Sequence, residues 1–567
     1  MLRSSAASGL VLATDDLDSI TGRGTVRDVI VVGAGAGGPI VAKELAARGL
    51  DVLLLEAGPA WSDPERDWSH DEQVANNPAT GIFRFGPGDR TQAPWARDLP
   101  QNCFVWQTAG VGGSTLHYFA NSPRAMPAAL PDYAQLIPYY EWVEHTLPVQ
   151  TAAVGTKEQL FLRAATKIGL PTQTSKDISV AACRPQENAI LQPHGTAGKT
   201  SKAKQLVYPR ARGCTFCGHC PQGCFLPLKA PLNLKAKRTT HVSYVPMALT
   251  ADRWTHGRAA TLVPDAFAVK VSARGEARSV TWRNTRSSAL TTEDAQVVVL
   301  AAGPIETPRL WLNSGLPNPN DQVGRGLTDH YLDFVVGRFA HDTGSTKGAT
   351  SAARADFPGY GCLEQTGVVP GLQAQGLTDS NEPGRRLLGT RQRRFMADVD
   401  RLLSIAVITD DDVLPENRVT LSQVMTPDAH GPIARVELRR RTSATLAKRD
   451  FLAAKAAELL RAAGAREVVR MNWAPVLLHI HTTMRRGVVV DADGESLAVA
   501  RLFVADNSAL PNALGGPNPT LTTQALATRT AERIFTRYFG GDPWVARESP
   551  MSSVDDSVTA AVAAAGL

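Results

Sequence analysis

One stretch near the N-terminus limits the possible folds more than any other. Residues 27–58 read as strand, tight turn, helix and strand, with a carboxylate at the second strand's end. Asp28 precedes the apolar run Val29-Ile30-Val31-Val32. The turn Gly33-Ala34-Gly35-Ala36-Gly37-Gly38 leads into a segment with helical spacing, Ile40 to Arg48, and Val52-Leu53-Leu54-Leu55 ends at Glu56. Continuous apolar runs mark strands buried on both faces, so a parallel sheet covered by helices is expected. Gly33-x-Gly35-x-x-Gly38 has the spacing a dinucleotide demands. Gly33 permits the tight turn, Gly35 lets the backbone approach a pyrophosphate, Gly38 lets the helix pack close to the strand, and the helix N-terminus favours the anion. Glu56 stands where a carboxylate accepts ribose hydroxyls, which favours an unphosphorylated ribose and hence FAD or NAD. The motif does not separate those two. The competing reading, an ordinary glycine-rich turn, does not account for the strand, helix and acid around it.

Two further apolar runs resemble the first. Val297-Val298-Val299-Leu300 leads to Ala301-Ala302-Gly303 and a helix from Glu306 to Ser314. Leu502-Phe503-Val504-Ala505 leads to Asp506 and a helix from Thr520 to Phe535. Three such units, far apart in sequence, predict one nucleotide-binding domain assembled from separated segments. A chain of 567 residues is too long for one simple core, so two domains or one large composite fold are expected. Residues 402–440 alternate apolar and polar as sheet strands do (Arg418-Val419-Thr420-Leu421 and Ala434-Arg435-Val436-Glu437-Leu438) and belong to a sheet-based second domain. Residues 126–200 hold two helices, one opening at about Pro138 and stopping before Pro148, the other from Glu158 to Ile168. Residues 60–100 read as a long loop crossing the cofactor, and the Ala- and Ser-rich tail from Ser549 as poorly ordered.

Charge excludes some functions. The net charge of +6 is small for this length, and no dense basic tract with interleaved aromatics appears, which argues against nucleic acid. No apolar run is long enough for a transmembrane helix, and the N-terminus makes a poor secretory signal, so a cytoplasmic location is the default expectation.

The remaining motifs resemble one family. Gly110-Val111-Gly112-Gly113-Ser114-Thr115-Leu116-His117-Tyr118 resembles the flavin-contacting loop of the glucose–methanol–choline (GMC) oxidoreductases. Ala301-Ala302-Gly303-Pro304-Ile305-Glu306-Thr307-Pro308-Arg309-Leu310 resembles their second signature, and Gly324 to His330 the stretch that follows it. Ala505-Asp506-Asn507-Ser508 and Asn518-Pro519-Thr520-Leu521-Thr522 resemble their closing segment. The resemblance implies an α/β fold: a Rossmann-like FAD-binding domain from residues 27–125, 201–334 and 471–540, and a sheet-and-helix substrate domain from 126–200 and 335–470. An extension (1–26) and a tail (541–567) complete the chain.

It also implies FAD as cofactor, with Gly33, Gly35, Gly38, Glu56, Gly112, Gly113, Ser114, His117, Asp506, Asn518, Pro519 and Thr520 around it. His479-Ile480-His481-Thr482 is similar to the family's histidine segment, which makes His479 the general base and Asn518 the group that anchors the substrate oxygen. Imidazole titrates near neutrality and suits a base; an amide offers a hydrogen bond without a charge. The family usually has Gly shortly after that histidine, where Thr482 stands here, and His481 competes for the role. Placing His479 there brings Arg485 and Gly487 into register, so His481 and His330 are read as structural, His330 as a turn cap. His117 matches a position of the pyranose-oxidising branch, where some relatives bond this histidine to the flavin; simple contact is the favoured reading.

Cys214-x-x-Cys217-x-x-Cys220-x-x-x-Cys224 is a pattern suited to soft metals. It is similar to a cysteine-rich segment of the gluconate dehydrogenase-like branch. Three readings stand: a structural loop of free or paired thiols, an iron–sulfur cluster relaying electrons to a protein acceptor, and a structural zinc. The reaction expected is hydride removal from a CH–OH group (EC 1.1) of a sugar, glycoside or other primary or secondary alcohol. Oxygen, a quinone or a redox protein would take the electrons, and an oligomer is compatible with the sequence. The competing functions are a non-redox lyase or a photodecarboxylase on the same fold. A pure electron-transfer module would not need so large a second domain.

Overall fold

The computed structural model describes residues 26–60, 95–101, 104–192, 213–218, 220–222, 224, 235–368, 370–378, 380, 386–473 and 475–567. The expected extension at 1–26 and the expected cofactor-crossing loop at 60–100 lie almost wholly outside the described residues.

Two sheets organise the chain. In the first, of seven strands, Arg27–Val32 lies between Val52–Leu55 and Leu290–Leu300 and runs parallel to both. Thr261–Val263 extends it in parallel beyond Val52–Leu55. Leu290–Leu300 serves two partners along its length. Its first half pairs antiparallel with Ala277–Asn284, which continues to Ala266–Arg274, and its end pairs in parallel with Leu502–Val504. The three apolar runs read from the sequence are therefore neighbours in one sheet.

Their continuity has a physical cause. Val29 and Val31 pack with Ile40, Val41 and Leu45 of helix Gly38–Ala46 and Leu521 and Ala525 of helix Thr520–Tyr538. Ile30 and Val32 face the other way, onto Leu310 and Trp311 of helix Gly303–Asn313. Helices cover both faces, so every position of the strand is apolar.

The second sheet is antiparallel and alternates instead. Its six strands run in the order Glu467–Arg470, Asp333–Arg338, Leu402–Thr409, Gly361–Thr366, Ser351–Phe357 and Ala182–Pro185. Leu363, Leu403, Ile405 and Val407 point to one face and pack with Phe161 of helix Thr156–Lys167 and Leu452, Leu459 and Leu460 of helix Ser443–Ala462. Glu364, Thr366, Ser404 and Ala406 point to the other face, into a cavity. Period-two alternation thus delivers polar groups to the cavity while its partner face builds a core.

Three local readings change. The helix expected to open at Pro138 begins at Tyr133 and runs to Thr146, with Pro138 inside it. Burial of Leu136, Tyr139, Tyr140 and Val143 on one flank offsets the backbone hydrogen bond that proline cannot make. The tail expected to be disordered forms helix Asp556–Ala564, because Val558 and Val562 bury against Met247. The hairpin Arg418–Leu421 and Ala434–Glu437 does not join the six-stranded sheet. It pairs on itself, and Val419, Ala434 and Val436 pack against Ile305 of helix Gly303–Asn313. No helix among the described residues is long and apolar enough to cross a membrane.

Candidate active site

The site lies where the two sheets meet, in two adjoining cavities of about 190 and 150 Å³. Ala36, Gln107, Ser114, Pro304 and Asn507 line both, so the two form one elongated space.

The smaller cavity is built on the glycine turn. A Cβ on Gly38 would stand 1.9 Å from the carbonyl oxygen of Gly33, so the helix can sit this close to the strand only with glycine there. A Cβ on Gly35 would meet nothing within 4 Å; it would project into open space. Gly112 donates its N–H to the Ala34 carbonyl at 2.8 Å, and a Cβ on Gly113 would lie 2.7 Å from the Cα of Gly35. The second glycine loop is therefore clamped on the first. Gly33, Gly35, Glu56, Gly113, Ser114 and Asp506 line this cavity; Gly38 and Gly112 stand behind it.

Glu56 is already engaged. Its carboxylate accepts N–H groups from Ala34 (2.8 Å), Gly58 (2.9 Å) and Gly110 (3.0 Å), joining the strand end to both glycine loops. Burial outweighs these bonds and holds its acid up to about 7. Asp506 accepts from the Gly303 N–H (2.9 Å), the Thr307 hydroxyl (2.6 Å) and the Ser508 N–H (2.7 Å), tying the end of Leu502–Val504 to the start of helix Gly303–Asn313. The open face at Gly35, the helix start and the long narrow space fit the pyrophosphate and extended shape of FAD.

The larger cavity holds His117, His479, Asn518, Pro519 and Thr520. His479 follows the short strand Val476–Leu477, and its backbone N–H is held by Asp329 at 2.8 Å. Its ring tautomer follows from its neighbours. His330 Nε2 lies 3.0 Å from the carbonyl oxygen of Ala513, which can only accept, so that nitrogen carries the proton. Burial pulls the His330 pKa down to about 4, so the ring is neutral and its Nδ1 is bare. His479 Nδ1 is 2.9 Å from that nitrogen and must donate to it. His479 Nε2 is then bare, and it lies 3.5 Å from Nδ2 of Asn518. Burial, reinforced by His330, keeps His479 neutral by pulling its pKa well below the usual range.

His330 therefore does not cap a turn, as the sequence suggested; it bridges Ala513 and His479. His481 is fully buried and lines neither cavity. Thr482 sits at φ 72°, the left-handed region that favours glycine, and its hydroxyl donates to the Gly326 carbonyl. His117 is buried with Nδ1 3.0 Å from the Thr108 hydroxyl, and burial lowers its pKa to about 3.

The cysteine cluster lies apart from these cavities. Cys214, Cys217, Cys220 and Cys224 line one narrow cleft with Lys237. Burial and their mutual proximity push the Cys214 thiol well up, and burial raises Cys224. No group of three or more His, Cys, Asp or Glu side chains among the described residues is arranged to hold a metal ion.

Sequence reasoning missed several lining residues. Trp106 and Trp473 meet edge-to-face at 6.1 Å at the cavity wall. Asn121 and Glu364 also line it, from a loop and from the strand Gly361–Thr366. No motif surrounds either one; only the alternation of that strand could have hinted that Glu364 and Thr366 share a face.

Comparison with known proteins agrees with this geometry. Family models for GMC oxidoreductases match residues 28–332 and 415–527. The chain is similar to paromamine 6'-oxidase from Streptomyces fradiae, 25% identical over 90% of this chain and 91% of that protein. It is also similar to 2-methyl-1,2-propanediol dehydrogenase from Mycolicibacterium austroafricanum, 26% identical over 90% of this chain and 95% of that protein. A structure of formate oxidase from Aspergillus oryzae RIB40, solved in work on FAD modification, superposes with a TM-score of 0.62 at 14% identity, covering 92% of this chain and 100% of that one.

Proposed function

This chain belongs to the GMC oxidoreductases, and from that we propose that it oxidises the CH–OH group of a sugar, glycoside or other alcohol, with His479 as general base and Asn518 as oxygen anchor. Its cofactor is FAD, which when bound supplies the acceptor for the hydride leaving the carbinol carbon. The observation that carries the residue roles is the bare Nε2 of His479 beside Asn518, on a cavity continuous with the open face at Gly35.

The chain's own residues divide the work. His479 Nε2 accepts the hydroxyl proton, and it can do so because His330 occupies the other ring nitrogen. A neutral ring is the active form, and burial maintains it. Asn518 Nδ2 donates to the substrate oxygen and holds it near Nε2 without adding charge. Trp106, Phe334 and Trp473 shield the cavity from water. His117 lines the same cavity and would help to hold the flavin there. The names of the two relatives, one acting on paromamine and one on a diol, support a hydroxyl-rich substrate.

The test is the visible spectrum of the purified protein followed by anaerobic addition of alcohols. Flavin bands that bleach with an alcohol support the reading. Flavin bands that no sugar, diol or aromatic alcohol bleaches would remove it.

A further inference from the structure

Glu364 stands 2% exposed at the wall of the larger cavity, far in sequence from every motif. Its Oε2 accepts from Asn121 Nδ2 at 2.7 Å, its Oε1 lies 3.4 Å from an Arg354 nitrogen, and Asn518 donates to it as well. The charges behind it do not balance. Arg354 also pairs with Asp356 at 2.7 Å, and Arg184 pairs with Asp356 at 3.0 Å and Glu187 at 3.2 Å. Two guanidiniums are shared among three carboxylates, all within the protein. With Glu364 ionised, one negative charge is left over beside the cavity. An unmatched buried charge is expensive and calls for a proton or a cation.

A second observation points the same way. The Oδ1 atoms of Asn121 and Asn518 are buried without a hydrogen-bond partner. Their amide orientations are set, because each Nδ2 gives one of its two N–H groups to Glu364. Both residues line the cavity that Glu364 lines. Two neighbouring amides thus carry acceptor oxygens that lack a donor, beside a carboxylate whose charge is unmatched. An ammonium group has three N–H donors, no acceptor and a positive charge.

We propose that Glu364, with Asn121 and Asn518, forms a receptor for an ammonium group, so that the preferred substrate is an alcohol that also carries a protonated amine. The proposal refines the alcohol-oxidising reading and rests on it for the word substrate. The remaining groups around Glu364 do not supply the cation. His117 and His479, which line the same cavity, and His330 behind them are held neutral by burial. The strand paired on its other side offers Ser404 and Ala406 there. Burial and Asp356 hold the Glu364 acid up to about 7, against the opposing pull of Arg354, so the receptor ionises as pH rises through neutrality.

The test uses the FAD-loaded full chain and three ring-matched probes: benzylammonium, benzamide and benzoate. Binding is read from tryptophan fluorescence and flavin absorption. We expect benzylammonium to bind at least about tenfold tighter than benzamide, as a charged hydrogen bond away from bulk water allows, with benzoate weakest. The advantage should grow from pH 6 to pH 8, where benzylammonium stays protonated and Glu364 ionises. Glu364→Gln should bring benzylammonium and benzamide to within about twofold of each other. Equal binding of the three probes, or retention of the ammonium preference in folded Glu364→Gln, overturns the proposal. If the variant does not fold, a wild-type preference that is flat between pH 6 and 8 overturns it. Flavin bleaching by alcohols is scored separately: the charge order without bleaching defeats the alcohol-oxidising reading and leaves the ammonium receptor standing, whereas bleaching without the charge order does the reverse.

Discussion

At the Gly35 end of the joined cavities the wall is main chain; at the Glu364 end it is side chain. Gly33 to Gly38 and Gly110 to Gly113 are two short runs whose glycines shape their space by lacking Cβ atoms. Asn121, Glu364, His479 and Asn518 come from four separate stretches and shape theirs by hydrogen bonding. Two carboxylates show the contrast. Burial holds both Glu56 and Glu364 up to about 7. Glu56 is met by three backbone N–H groups, which the turn supplies whatever side chains surround it. Glu364 is met by two amides and a guanidinium, which depend on other residues being present. A main-chain site holds one ligand type reliably; a side-chain site can change its chemistry by substitution.

That difference is open to attack from both ends. The largest expected effect is His479→Ala, which should lower kcat/KM by about 10²–10⁴-fold, the range for loss of a general base, while FAD content stays at the wild-type level. Loss of FAD instead would show that the two ends are not separable. His330→Phe removes the partner that sets the His479 tautomer and should lower kcat by about 10–100-fold, with KM little changed. The same variant should also move the acid limb of the pH profile. In the wild type that limb falls well below pH 6.5, because burial holds His479 neutral and protonation of its Nε2 abolishes the base. An acid limb at or above 6.5 would contradict the assignment of His479.

The main-chain end gives a paired test. Gly38→Ala should destabilise the fold by about 1–3 kcal/mol, since its Cβ would meet backbone, and would appear as a lower Tm of the apoprotein. Gly35→Ala should leave that Tm unchanged and weaken FAD retention, since its Cβ enters open space. Equal behaviour of the two variants would undo the distinction between a packing glycine and a cofactor glycine. The smallest effect is expected for Asn518→Ala, a loss of about 1 kcal/mol or fivefold in kcat/KM, the worth of one neutral hydrogen bond.

How much was legible in the sequence follows the same divide. The strand at Val29–Val32 could be read because burial on both faces demands an unbroken apolar run, and the glycine spacing because each position forbids a Cβ or needs an open face. His479 and Asn518 were singled out through their motifs, and both line the larger cavity. Pro138 misled because helix Tyr133–Thr146 is held by its buried flank, and the tail misled because its few apolar residues meet a partner, Met247, some 300 residues earlier in the chain. Local backbone requirements, which depend on neighbours along the chain, were settled by the sequence itself: the parallel strand, the glycine turn and the helix that follows it. The tautomer of His479, the charge left over at Glu364 and the meeting of Asn121 and Asn518 at that carboxylate were decided only by tertiary structure. Each depends on groups from different strands and loops reaching hydrogen-bond distance, and no spacing along one chain records that.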